Sequence, residues 1–245
     1  MSAIICENLC KEFNGTAAVK NLSLTINEGE IFSLLGVNGA GKTTTVKMLT
    51  TILRPTSGDA FIYGNSIVKE GDKAIRYIDV SFQETSVARK LTVKENIEFY
   101  ARLCGMDKRE IKTVKDQLYT KFGFKGVENK RAEKLSGGWQ RKLSIALALI
   151  KKPKVLFLDE PTLGLDVIAR RELWKVIKSL KGETTVILTT HYMEEVEELA
   201  DRVGIMDKGE LLFCGTKEEL YALTGEKNVE NAFIKTVRER TDEQI

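Results

Sequence analysis

The residues best suited to chemistry are few and lie far apart along the chain. Gly36, Gly41, Lys42 and Thr43 form a G-x-x-x-x-G-K-T pattern, with Asn38, Gly39 and Ala40 inside it and Thr44 just after. Two adjacent acids, Asp159 and Glu160, close an apolar run, and the only histidine, His191, closes another. Ser136-Gly137-Gly138 stands at the head of a helical pattern. The glycine spacing is that of a loop whose backbone N–H groups converge on phosphate oxygens, where a β-carbon would block the approach. Lys42 then reaches the β- and γ-phosphates and the Thr43 hydroxyl faces Mg²⁺. Two acids at the end of a buried strand suit metal and water chemistry. Ser136 is placed as an N-cap whose two following glycines leave N–H groups open, a second anion site.

The flanking sequence supplies elements to hold these groups. Ile31, Phe32, Leu34 and Leu35 read as a buried strand entering the first loop. Val46, Leu49, Ile52 and Leu53 recur at helical spacing as the chain leaves it. Residues 3–13 and 17–26 read as strands around the Asn14–Gly15 turn, so the front end is an antiparallel sheet. Phe13 precedes that turn and is equally suited to stacking on a nucleotide base or to packing in the sheet. Residues 77–82 read as a strand, with Gln83 directly after it in a loop. From 92 to 122 the pattern turns helical, with Ile97, Tyr100, Ala101 and Leu103 on one face and Asn96 and Glu98 on the polar one. Residues 134–150, 167–180 and 193–200 read as helices, the last with Glu194, Glu195, Glu197 and Glu198 as a solvated face. Strands are expected at 154–160 and 184–190, with a hairpin around Asp207-Lys208-Gly209. His191 thus ends a strand, where nucleotide-binding α/β sheets carry their ligand sites.

Composition narrows the classes. A chain of 245 residues with 42% hydrophobic content supports one large domain or two small ones. A net charge of +3 gives no general nucleic-acid footprint. Cys6, Cys10, Cys104 and Cys214 form no C-x-x-C pair and match no metal spacing, as expected of a reduced cytosolic chain. The longest apolar run, 143–150, is far short of the ~20 residues a membrane helix needs. No signal peptide is expected, and any work at a membrane needs another chain to hold this one there.

Taken together, the motifs resemble the ATP-binding subunit of ABC transporters, from about residue 3 to about residue 235. They fall in the family's order: the phosphate loop Gly36 to Thr43, Gln83 as the Q-loop, LSGG at 135–138, VLFLDE at 155–160, the D-loop at 163–166 and His191 as the switch. RPTSGDAFIYG at 54–64 and the stretch 189–216 are most similar to the branch that exports drugs, sodium, lipids or polysaccharides. Trp139 stands where glutamine usually completes the signature. The resemblance implies an α/β P-loop lobe with a mostly parallel sheet (residues 1–84 and 151–216), including the N-terminal antiparallel part. A helical insertion (85–150) and a C-terminal helical tail (217–245) complete that division.

It further implies ATP hydrolysis with Mg²⁺ held by Thr43, Gln83 and Asp159. Glu160 polarises the attacking water, His191 contacts it and the γ-phosphate, and Lys42 completes the catalytic set. Phe13 stacks on adenine, and Val19, Gly36, Asn38, Gly39, Ala40, Gly41, Lys42, Thr43, Thr44 and Gln83 contact the nucleotide. Ser136, Gly137 and Gly138 reach a nucleotide on a second copy of the chain, since one copy carries one phosphate loop and one signature, and Asp166 of the D-loop is also placed at the nucleotide. The implied partners are ATP, that second copy and a membrane permease, with no nucleic acid. The implied location is cytoplasmic, on the inner membrane face. The permease is expected beyond Gln83, at Thr85, Ser86, Val87, Ala88 and Leu91. The alternatives are a soluble ABC ATPase of DNA repair or translation, and a regulatory module that holds ATP without cleaving it.

Overall fold

The computed structural model describes residues 1–242, so the last three residues of the expected tail lie outside the described residues. The chain opens with β1 (Ser2–Phe13) and β2 (Thr16–Asn27), joined by a tight turn in which Asn14 and Gly15 both take positive φ. Along the second half of β2, Leu22, Leu24 and Ile26 point inward and their neighbours outward, the period of a half-buried strand. Next come β3 (Ile31–Leu35), α1 (Lys42–Leu49), β4 (Ser57–Ile62), β5 (Asn65–Ser66), α2 (Gly71–Ala74) and β6 (Ile78–Ser81). Strands β2-β1-β4-β5 pair antiparallel in one four-stranded sheet. The strand expected at 77–82 is shorter, because residues 75–77 wind into a 3₁₀ turn before it.

The helical part follows as α3 (Val93–Leu103), α4 (Lys108–Phe122) and α5 (Gly137–Ala148). Thr92 with Glu95 and Asp107 with Glu110 form reciprocal capping boxes that start α3 and α4. The remaining elements are β7 (Val155–Asp159), α6 (Val167–Lys178), β8 (Thr185–Thr190), α7 (Met193–Leu199), β9 (Arg202–Asp207), β10 (Glu210–Thr216), α8 (Lys217–Thr224) and α9 (Val229–Asp242). The second sheet runs β10-β9-β3-β8-β7-β6, parallel throughout except for the edge strand β10. Its central strands β3, β7 and β8 are buried at every position, as strands covered on both faces must be.

The helical part shares its core with that sheet. Ile97 and Ala101 of α3, Val114 and Leu118 of α4, and Leu143 and Ala146 of α5 belong to one cluster with Leu156, Leu158, Val186 and Leu188 of the strands. Asn96, expected on the polar face, is fully buried. Its amide accepts from Ala88 N at 2.8 Å and donates to the carbonyls of Ala88, Leu91 and Thr92, so it pins the segment entering α3. Val87, one of the residues where the permease is expected, is partly buried and packs against the same core.

The acidic helix α7 is solvated at Glu194, Glu197 and Glu198, as expected, but not at Glu195. Glu195 is fully buried and accepts from Trp174 Nε1 at 3.2 Å. Glu194 faces Arg170 at 3.5 Å and Glu198 pairs with Lys178, both cations on α6. Glu197 turns the other way and accepts from the Tyr221 hydroxyl and the Val229 N–H, each at 2.7 Å, which fastens the tail to α7. Val229 and Ala232 of α9 then bury against Val196 and Val203.

Candidate functional site

Because β3, β8 and β7 are parallel neighbours, the loops after them emerge side by side at the carboxyl end of the sheet. The loop after β3 is forced to be glycine-rich by its surroundings. A Cβ on Gly36 would lie 2.4 Å from the Met206 carbonyl, and one on Gly41, at φ +102°, 2.5 Å from the Ala18 carbonyl. Lys42 folds back into the loop, donating to the carbonyls of Gly36 at 2.7 Å and Val37 at 3.2 Å. Burial holds its pKa below the ordinary lysine value, against an upward pull from Glu160 and Asp159. Its Nζ lies 3.6 Å from Glu160 Oε1.

Asp159 and Glu160 follow β7 in different roles. Asp159 is almost wholly buried, and its Oδ1 accepts from Thr43 Oγ1 at 3.2 Å and from the Thr189 hydroxyl. Two hard oxygen donors thus meet on the cleft floor, a set suited to a cation that completes its shell with phosphate and water. Among the described residues no cluster of three or more His, Cys, Asp or Glu could hold a metal without such help. Glu160 Oε2 lies 2.8 Å from His191 Nδ1, so the acid sits between a lysine and an imidazole. Its backbone occupies the left-handed region at φ +48°, rare for a residue with a Cβ.

Arg141, which sequence reasoning passed over, braces that turn. From α5 its buried guanidinium donates to the carbonyls of Pro161 at 2.7 Å, Glu160 at 2.6 Å, Asp159 at 3.2 Å and Phe82. The signature helix is thereby tied to the residue before Gln83 and to the backbone of both acids. The signal for it was a charge in the helical row that also carries Ile145 and Ala148, which the structure buries.

One cleft of about 630 Å³ brings together Phe13, Asn38 through Thr44, Gln83, Glu160 and His191. Phe13 stands half exposed at its mouth with Lys11 Nζ 5.2 Å from its ring centre. Val19 does not line the cleft: it is buried under the loop, and its neighbour Ala18 takes the lining position. Strand alternation explains the exchange, since adjacent residues of β2 face opposite sides.

Ser136, Gly138 and Asp166 line a separate hollow of about 230 Å³, away from that cleft. Ser136 occupies the N-cap position of α5 without making a side-chain cap, so the hydroxyl and the first N–H groups stay open. Asp166, by contrast, caps α6 by accepting from Ala169 N at 2.9 Å. A Cβ on Gly138 would approach Ala169 Cβ to 2.8 Å, so this glycine lets α5 and α6 meet. Gly137, beside it, faces Leu165 with ordinary spacing. Trp139 lies 6.0 Å from the Phe124 ring and under the Lys142 ammonium at 4.6 Å, while Lys142 pairs with Glu172 at 2.7 Å.

A phosphate loop and an acid pair at the carboxyl end of a parallel sheet, with a helical insertion bearing an uncapped Ser-Gly-Gly helix, define a P-loop ATPase of the ATP-binding-cassette kind. The ABC transporter family profile matches residues 19–163. The chain is 44% identical over 200 residues to the phospholipid-transporting ATPase ABCA3 of Homo sapiens, a match covering 82% of the chain and 12% of that protein. It is 39% identical over 224 residues to the daunorubicin/doxorubicin resistance ATP-binding protein DrrA of Streptomyces peucetius, covering 91% of the chain and 68% of that protein. The structure of cbiO1 from Clostridium perfringens, part of the ABC transporter complex cbiONQ, superposes with a TM-score of 0.82 at 30% identity, covering 90% of this chain and 91% of that one. The chain belongs to the ABC transporter family, as an ATP-binding, ATP-hydrolysing domain. It spans only a quarter of the length of a plant A-family relative.

Proposed function

We propose that the chain powers export of a substrate through a separate membrane permease, by closing head to tail on a second copy around ATP. The observation that carries this reading is the split of the site. Lys42, Glu160 and His191 line one cleft, while Ser136 and Asp166 line another hollow on the same molecule. A partner's open α5 N-terminus, placed over the first cleft, would supply the donors that cleft lacks. Bound Mg²⁺ would neutralise charge on the β- and γ-phosphates, held by Thr43, Asp159 and Gln83. Glu160 orients the attacking water and takes its proton, with Lys42 and His191 fixing the carboxylate. Phe13 stacks on adenine.

The permease docks beyond Gln83, where Tyr100 holds the Ser86 carbonyl at 2.8 Å. On α3, Phe99 and Leu103, one turn apart, leave apolar surface in water. No helix among the described residues is long and apolar enough to cross a membrane. The reading therefore places the chain on the cytoplasmic membrane face through its permease. Of the relatives reported above, ABCA3 is named a phospholipid-transporting ATPase and DrrA a drug-resistance ATP-binding protein, and neither name favours the DNA-repair or translation alternative. Light scattering of Glu160→Gln with and without ATP tests the pairing. The mass should double with ATP, and an unchanged mass would refute it. Leu103→Glu should leave ATPase activity of the free chain intact while transport by the assembled complex falls.

A further inference from the structure

We propose that Glu195 is a positioning residue for ATP cleavage: it fastens the helix that follows His191 to the helix that follows Asp166, and so keeps the imidazole on Glu160. The inference rests on the ATP-hydrolysing reading of the cleft. His191 stands two residues before α7, on a short connection, so the seating of α7 decides where the ring points. Along the seam between α6 and α7, contacts recur at helical spacing. Arg170 lies 4.6 Å over the Tyr192 ring, and that ring packs at 4.2 Å against His191. Arg170 also reaches Glu194, Trp174 reaches Glu195, and Lys178 reaches Glu198.

These rungs are unequal. Glu194 and Glu198 are exposed, and ion pairs in water contribute little. The Trp174–Glu195 rung is closed to solvent at Glu195, where an unmade hydrogen bond is costly. Glu195 Oε2 and the Thr162 hydroxyl, two residues beyond Glu160, are both buried, and the Thr162 and Thr190 side chains act on the carboxyl as hydrogen-bond donors. The carboxyl therefore backs onto the catalytic turn itself. The charged groups facing it are Arg141 of α5 and Glu160 after β7. Burial raises its pKa, opposed by Thr190, Trp174 and Thr162, so an amide is the fitting replacement for its protonated form.

The single histidine allows a test that does not depend on turnover. In tag-free protein, the His191 ring resonances and their cross-peaks to the Tyr192 ring report the seating of α7 directly. Glu195→Leu should lose those cross-peaks and lower kcat by about tenfold with KM for ATP unchanged. Glu195→Gln, which keeps the acceptor for Trp174, should retain both. Trp174→Phe, which removes the donor together with part of the buried ring while leaving Glu195 in place, should repeat the Glu195→Leu phenotype, and it serves where that variant does not fold. A folded Trp174→Phe with native His191 resonances and native kcat would overturn the proposal, as would equal losses in Glu195→Gln and Glu195→Leu. Wild-type protein with native cross-peaks but no ATPase activity would instead count against the hydrolytic reading.

Discussion

Two helices of this chain begin in the same way and in opposite surroundings. Helices α3, α4, α6 and α8 start with a side-chain cap; of those that do not, α2 and α7 are short, and α1 and α5 have 8 and 12 residues. Both are long enough to present several unpaired N–H groups and a favourable dipole to an anion. At α1 those groups face a walled cleft, with Lys42 and Glu160 buried beside them and His191 at the rim. At α5 they open onto a shallow hollow lined by Ser136 and Asp166. On the proposed reading, phosphate recognition is divided into a finished half and an unfinished half. The finished half already holds its own geometry through Lys42, Arg141 and the Thr43–Asp159 contact.

That contrast can be broken from either side. The largest effect is expected in the walled half. Glu160→Gln should bind ATP normally but turn over roughly 10²–10⁴-fold more slowly, if the carboxylate takes the proton of the attacking water. Single-turnover assays check this, and undiminished turnover would remove Glu160 from that role. In the open half, Ser136→Arg should leave ATP affinity of the single chain unchanged while abolishing the ATP-dependent rise in mass of the Glu160→Gln protein. Equal dimerisation would erase the distinction between the halves.

A smaller effect sharpens the comparison rather than breaking it. Gly138→Ala places a methyl against Ala169 and should cost about 1–3 kcal/mol by overpacking the junction of α5 and α6. Denaturant midpoints measure it, and a neutral result would mean that the open half rearranges freely. The smallest effect concerns pH. The folded-state pKa of Glu195 lies above the unfolded value of about 4.5. Its stabilising contribution is therefore complete below that value and is lost as pH rises through the folded pKa. Glu195→Gln does not titrate, so its thermal midpoint should gain on that of wild type as pH increases from about 4.5. A constant gap would refute the shift.

The walled half was legible because its groups obey local spacing. The glycines of the phosphate loop answer to backbone contact, and Asp159, Glu160 and His191 each close a hydrophobic strand pattern. Val19 was misplaced by one residue, a difference that strand alternation decides only once the sheet's faces are known. What escaped the sequence were polar side chains turned inward. Asn96 and Glu195 sit in patterns that read as solvent-facing and Arg141 was passed over, yet each meets partners contributed by other segments. Periodicity cannot announce a buried charge, because its neighbours arrive through the tertiary fold. The helices α3, α4 and α5 were legible as a pattern, but not the packing by which their apolar faces join the core of the sheet.

With the role proposed for Glu160, its left-handed backbone sets stability and turnover against each other at one position. An L-residue with a long side chain resists this conformation by roughly 1–2 kcal/mol. Asparagine accepts it more readily and glycine without strain. Selection for heat resistance alone would thus drift toward the small residue and lose the carboxylate that touches both Lys42 and His191. A library of this chain screened only for thermal survival should accumulate changes at position 160, and these survivors would be the inactive ones.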